Sequence, residues 1–269
     1  MGRAPEGAVR LTESLRPTIP PRPWVAAGFE RYLRYLAARQ FAAVHLRGPA
    51  EGSAAPGSLH PTIFVANHTN WWDGFLAYLV GRSLGTTFYV LMEARHLARY
   101  RFFLRVGALP LDRTSAPRAY ADLERAKGVL APSAGLWVFP QGARRPAAEP
   151  LATLEAGAAH LALTADAPVR ICPVGFRYGY LGEHLPEAFA WVGESWVVRP
   201  GSEDRRTLTE QIGERLSAVV EQLDLARREE RLDEYLRRFG FGRDTGLGLP
   251  HEENGQVPPL EDWSGTSIG

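Results

Sequence analysis

The strongest constraint on this chain is an arrangement that occurs three times: an apolar run of strand length, followed at once by a polar cluster. "PTIFVAN" (Pro61–Asn67) runs into "HTNWWD", "GALPL" into "DR", and "GLWVF" into "PQGARR". Helical patterns lie around and between them, in "WDGFLAYLVGRSLG", "HLARYRFFLRV", "APRAYADLERAKGVLA" and "LEAGAAHLALTAD". Apolar strands alternating with helices require a sheet covered on both faces. The expected fold is α/β: a single domain with a mostly parallel mixed sheet covered by helices, preceded by an N-terminal helical segment. In such sheets ligands bind in the crevice at the carboxyl ends of the strands. If the three strands are parallel, His68, Asp73, Arg113, Arg144 and Arg145 gather at one edge.

Residues 1–22, rich in Pro, Gly and Arg, are expected to be flexible. Residues 23–47 hold a helix, from Pro23 to about Gln40, and a first strand in "AAVHLRG". Val25, Phe29, Tyr32, Leu33 and Leu36 share one face of that helix, and Glu30, Arg31 and Arg34 the other. Such a face can lie on a membrane surface with its arginines towards the headgroups, or it can pack on the domain. Residues 48–240 make the main domain, which opens with a loop over Pro49–His60. Further strands are expected in "TTFYVLM", "VRICPVGFRY" and "FAWVGES", then a charged helical pattern from about Glu203 to Phe239. Residues 241–269 are Gly- and Pro-rich and are expected to be disordered.

Composition removes several functions. Hydrophobic residues make up 45% of the 269 and charged residues 23%, as in a soluble protein with a real core. A formal net charge of +1 singles out no charged partner, and no nucleic acid is implied. Lys127 is the only lysine. Its surroundings, "ERAKGVL", do not form a P-loop, and Schiff-base chemistry has few places to occur. The single cysteine, Cys172, excludes an internal disulfide and a cysteine-based zinc cluster, and its apolar neighbours mark it as a core residue. The other histidines lack metal-ligand spacing. The first residues contain no secretory apolar stretch, and no window approaches the roughly 18 apolar residues of a spanning helix. The expectation is a cytoplasmic chain that does not cross a membrane.

His68 and Asp73 carry the most pointed chemistry. A neutral imidazole can take a proton from a hydroxyl near neutral pH, best when a carboxylate fixes its other ring nitrogen. No G-x-S-x-G elbow supplies a serine nucleophile. A base without its own nucleophile suits activation of a substrate hydroxyl that then attacks an acyl donor. On spacing alone, a turn histidine beside a helix-capping aspartate is the favoured reading. Arg113 and Arg144 could each grip a phosphate or carboxylate through paired hydrogen bonds, or simply be solvated. Gly142 suits a backbone that approaches a ligand closely.

These motifs together resemble the glycerolipid acyltransferase superfamily, that of lysophosphatidic acid acyltransferase. "NHTNWWD" is similar to its N-H-x-x-x-x-D signature, "GALPLDR" to its second block, "FPQGARR" to its third (usually F-P-E-G-T-R-S) and "ICPVGFRY" to its fourth. The resemblance runs from Asn67 to Tyr178, in the family's order. It implies that residues 48–240 are the acyltransferase domain, with His68 as general base and Asp73 as its partner. It implies that Arg113, Gln141, Gly142 and Arg144 serve the acceptor head and that Pro173 helps form the pocket. The donor would be a fatty acyl thioester, on coenzyme A or acyl carrier protein, with no metal or organic cofactor. The acceptor would be a lysophospholipid or similar lipid at a membrane surface, where the enzyme would be peripheral. Gln141, Ala143 and Arg145 depart from the family's third block. They leave room for a glycolipid, glycosylated isoprenoid or amino-acid lipid as acceptor. A lipid-binding protein without activity and a thioesterase are the alternatives of another class.

Overall fold

A computed structural model describes residues 14–48, 59–151, 153–181, 184–229 and 237–238. Its strands are β1 (Val44–Arg47), β2 (Thr62–Ala66), β3 (Thr87–Glu93), β4 (Ala108–Leu111), β5 (Ala134–Val138), β6 (Val169–Gly179), β7 (Glu187–Val192), β8 (Trp196–Val198) and β9 (Arg237–Arg238). Its helices are α1 (Pro23–Gln40), α2 (Asp73–Ser83), α3 (Ala94–Arg99), α4 (Ala116–Lys127), α5 (Gly157–Leu163) and α6 (Arg205–Arg228). One sheet runs β4-β3-β5-β2-β6-β7-β1-β9, with β8 alongside β6. The first five strands of that order are parallel, so the carboxyl ends of β2, β4 and β5 do share an edge. β7 runs antiparallel to β6, and β1 follows β7 in parallel.

Side chains alternate across this sheet, as the two-residue strand period requires. Phe64, Trp137, Cys172, Val174 and Phe176 face one core with α1 and α2. Ile63, Val65, Leu136, Val138 and Ile171 face another with α4, α5 and the start of α6. Each strand is therefore apolar on both sides, which is why the runs read as continuous rather than alternating. Cys172 is fully enclosed, and burial pushes its thiol up to about 12.

The N-terminal helix and first strand do not stand ahead of the domain. Phe29, Leu33 and Ala37 enter the first core. Tyr78 on α2 donates to the Ala26 carbonyl at 2.8 Å, and β1 pairs with β7. The expected membrane face of α1 is thus largely spent on packing, although Tyr32 remains 55% exposed. The helix expected over "HLARYRFFLRV" breaks at Tyr100 into α3 and a 3-10 turn over Arg101–Arg105. The charged helix ends at Arg228 rather than Phe239, and Arg237–Arg238 instead pairs antiparallel with β1. The loop before His60 and the tail after 240 lie outside the described residues, apart from Leu59 and His60.

Candidate active site

The site forms where β2 ends. Asn67 extends the β2–β6 pairing past the last strand residue. Its Oδ1 accepts from the Phe176 N–H at 2.7 Å, and its Nδ2 donates to the Phe176 carbonyl at 3.1 Å. The chain then turns through His68–Trp72 into α2. The turn is held from the β5 side as well. Gln141 Oε1 accepts from the His68 N–H at 2.5 Å, and the Arg145 N–H donates to the His68 carbonyl at 2.8 Å.

Asp73 opens α2, yet its carboxylate turns back onto the turn that precedes it. Oδ2 lies 2.8 Å from His68 Nδ1 and accepts from the Thr69 and Asn70 N–H groups at 2.6 and 2.7 Å. Oδ1 accepts from the Tyr178 hydroxyl at 2.6 Å. The Asp73 side chain is 0% exposed and that of His68 is 24% exposed. Four donors converge on this buried side chain. An acceptor oxygen at Nδ1 fixes the neutral tautomer with the proton there, which leaves Nε2 as the nitrogen with the open lone pair. Nε2 has no protein partner among the described residues, and the Phe139 ring lies against the imidazole at 4.5 Å. The arrangement can take a proton from a group placed at Nε2 and stabilise the imidazolium that results.

Arg113, at the end of β4, reaches the loop after β5. One guanidinium nitrogen donates to the Gly142 carbonyl and the other to Glu155 at 2.8 Å. Glu155 is anchored in turn by its N–H to the Pro140 carbonyl at 2.6 Å. Gly142 takes φ +67°, a conformation that favours glycine, and a Cβ there would lie 2.6 Å from Arg113 Nη2, so the guanidinium would have to shift. Arg144 and Arg145 are exposed on the same loop. The structure therefore brings His68, Asp73, Gln141, Gly142 and Arg113 together. Gln141 is turned inward onto the His68 amide instead of outward. Pro173 lies in the body of β6, opposite Val65, where β6 changes partner from β8 to β7. A residue without an N–H fits that gap, and its carbonyl accepts from Gly193 at 2.9 Å. Three contributors escaped the sequence reading: Tyr178, Asn67 and Glu155. The first two had a signal, since Tyr178 continues the alternation Val174–Phe176 on β6 and Asn67 immediately precedes the turn. Glu155 had none, because it pairs with Arg113 across 42 positions.

The site is thus a histidine–aspartate pair at the carboxyl edge of a mostly parallel α/β sheet, with arginines on the neighbouring loops. Residues 49–177 match the family model described as Acyltransferase. The matched segment contains His68, Asp73, Arg113, Gln141, Gly142, Arg144 and Pro173. The fold is that of the 1-acyl-sn-glycerophosphate (LPA) acyltransferase PlsC from Thermotoga maritima: the TM-score is 0.55 at 19% identity, covering 75% of this chain and 80% of that one. A second family model, the penicillin-binding protein transpeptidase domain, matches residues 187–269. The chain is 49% identical over 54 residues to penicillin-binding protein PbpB of Mycolicibacterium smegmatis, covering 19% of this chain and 8% of that protein. It is 51% identical over 39 residues to PbpB of Mycobacterium tuberculosis, covering 14% of this chain and 6% of that protein. The chain thus spans less than a tenth of the curated relatives it matches. Within the second segment, β7 and α6 belong to the same sheet and cores as the acyltransferase segment.

Proposed function

We propose that the protein is an O-acyltransferase that moves a fatty acyl group from a thioester to the hydroxyl of a lysophospholipid or similar lipid, with His68 as general base. The observation that carries this reading is the 2.8 Å contact between His68 Nδ1 and the fully buried Asp73, which leaves Nε2 free at the sheet edge. Nε2 takes the proton of the acceptor hydroxyl as its oxygen attacks the thioester carbonyl. The tetrahedral intermediate expels the thiolate, and the imidazolium returns the proton to sulfur, so the base is regenerated. Exposed Arg144 and Arg145, with half-exposed Arg113, favour an acceptor with an anionic head. Gln141 faces the His68 amide, so its departure from the family's glutamate no longer argues for an unusual head.

A position at a membrane surface is supported by aromatic side chains beside the site. Trp71, three residues past His68, is 55% exposed and packs edge-on to Phe75 at 5.3 Å. Phe75 leads to Phe103 and exposed Phe102, flanked by Arg101 and Arg105. Such a surface suits a lipid interface. Among the described residues no helix is long and apolar enough to cross a membrane. Transpeptidation is not proposed: residues 187–269 contain no lysine and hence neither S-x-x-K nor K-T-G.

The test is a thioester-consumption assay with purified enzyme, coenzyme A and carrier-protein donors, and an acceptor panel of lysophosphatidic acid, glycolipids and amino-acid lipids. Acceptor-dependent thiol release that vanishes in folded His68→Ala is expected. Release without acceptor would make the protein a thioesterase, and undiminished turnover in His68→Ala would remove the base.

A further inference from the structure

Among the described residues, Tyr178 is the one ionisable group besides His68 that touches the buried aspartate, and no part of the reading above uses it. It sits near the end of β6, on the face that carries Val174 and Phe176 into the first core. Its ring stacks on Phe41 at 5.9 Å, and Phe41, the residue that ends α1, packs against Trp72 at 4.9 Å. The ring is therefore fixed from the N-terminal helix and from the turn that holds His68. Its hydroxyl meets Asp73 Oδ1 at 2.6 Å, on the side of the carboxylate opposite the imidazole.

We propose that Tyr178 is a positioning residue that supplies the fourth hydrogen bond to Asp73, and that it thereby sets the proton affinity of His68. The proposal rests on the acyl-transfer reading only for its effect on rate. Oδ2 is already held by two backbone N–H groups, so the carboxylate cannot swing far. What the phenol governs is how its charge is shared. With a donor on Oδ1, less of the negative charge faces Nδ1. Without it, Oδ1 lies uncompensated on a fully buried side chain, and the charge is relieved by holding the imidazole protonated. Burial and the Asp73 charge push the phenol well above its ordinary range, so it stays a donor throughout the working pH. Gln141 and Phe139 approach His68 from the β5 side uncharged, and Arg145 contributes its backbone there.

The experiment is Tyr178→Phe in the full chain, which keeps the ring and its stack and removes one oxygen. Three readouts are taken: the His68 imidazole titration by NMR, the pH profile of thioester turnover, and thermal unfolding. The His68 titration and the acid limb of the rate profile should both move to higher pH. Turnover at neutral pH should fall by about tenfold, the lower end of what one hydrogen bond to a charge supports, with the donor KM unchanged. Phe41→Leu, which loosens the ring but leaves the hydroxyl, should move the titration in the same direction by less, and it serves if Tyr178→Phe does not fold. An unmoved titration, or one moved to lower pH, overturns the proposal even if turnover falls, since packing alone would then explain the loss. The NMR titration needs no substrate, so a wild type without thioester turnover would refute acyl transfer while leaving the Tyr178 comparison intact.

Discussion

Replacing Asp73 by asparagine changes the chemistry of the side chain and almost nothing of its shape. The wild-type carboxylate receives four donors: His68 Nδ1 and two backbone N–H groups on Oδ2, and the Tyr178 hydroxyl on Oδ1. Asparagine offers one acceptor oxygen and one amide donor. Pointing the amide at Oδ2's place would set it against three donors, so the oxygen must go there and the amide must face Tyr178. The phenol oxygen can accept from it after its proton rotates. The turn can therefore survive, with four charge-assisted bonds reduced to neutral ones. That loss is about 1 kcal/mol each, opposed by relief of several kcal/mol from no longer burying a charge. Stability should shift by no more than about 2 kcal/mol, a few degrees of Tm in a domain of this size. Catalysis has no such offset, because a neutral amide oxygen, even where it keeps the proton on Nδ1, does not stabilise the imidazolium. Turnover should drop by roughly 10²–10⁴, as for an orienting aspartate beside a catalytic histidine. The assay is thiol release from the donor thioester, run beside thermal unfolding of the same preparation. A folded Asp73→Asn enzyme with near-normal turnover would refute the reasoning, whatever its Tm.

Arg113→Ala and Arg144→Ala should each weaken acceptor use by about 1.5–3 kcal/mol, read as a raised acceptor KM; a change confined to the donor KM would assign these arginines to the thioester instead. Gly142→Ala forces a left-handed φ on a residue with a Cβ and displaces Arg113, so it should cost about 1–2 kcal/mol in a urea titration; unchanged stability would mean the loop adopts another turn. Leu33→Ala, at a fully buried position of α1, should destabilise by about 2–5 kcal/mol. Paired serine replacements at exposed Trp71 and Phe102 should leave the fold intact and weaken sedimentation with anionic liposomes. Undiminished sedimentation would move the membrane contact elsewhere.

The fold class was legible because it rests on local, repeated signals. Strands buried on both faces read as continuous apolar runs, and α1, β2, β3 and β5 fell close to where periodicity put them. The order of the strands was not legible. Nothing in "FAWVGES" shows that β7 runs against β6, and β8 is three residues long. The break at Tyr100 was hidden too, because "HLARYRFFLRV" keeps a helical pattern through residues that the structure splits between α3 and a 3-10 turn. At the site, the His68–Asp73 pair was visible because both members lie in one turn, five positions apart. Tyr178 and Glu155 lie 105 and 42 positions from their partners, and pairing at that range is set by strand order.

Gln141 shows how a residue's place in a motif and its contacts in the fold can differ. Its block places it beside Arg144 and Arg145, and on sequence its missing charge would bear on which head group is bound. In the fold it is buried, and its oxygen accepts from the His68 N–H. That N–H needs an acceptor, because the turn from β2 into α2 leaves it outside any ladder. The adjoining Arg145 N–H closes the same turn from the other side. The loop after β5 thus has two faces with separate duties. Its inner face fixes the backbone of His68 through Gln141 and Arg145. Its outer face carries the Arg144 and Arg145 side chains, with Arg113 drawn to it through Gly142 and Glu155. A substitution on the inner face should therefore register in the rate of the chemical step, and one on the outer face in acceptor affinity, although the residues are neighbours in the chain.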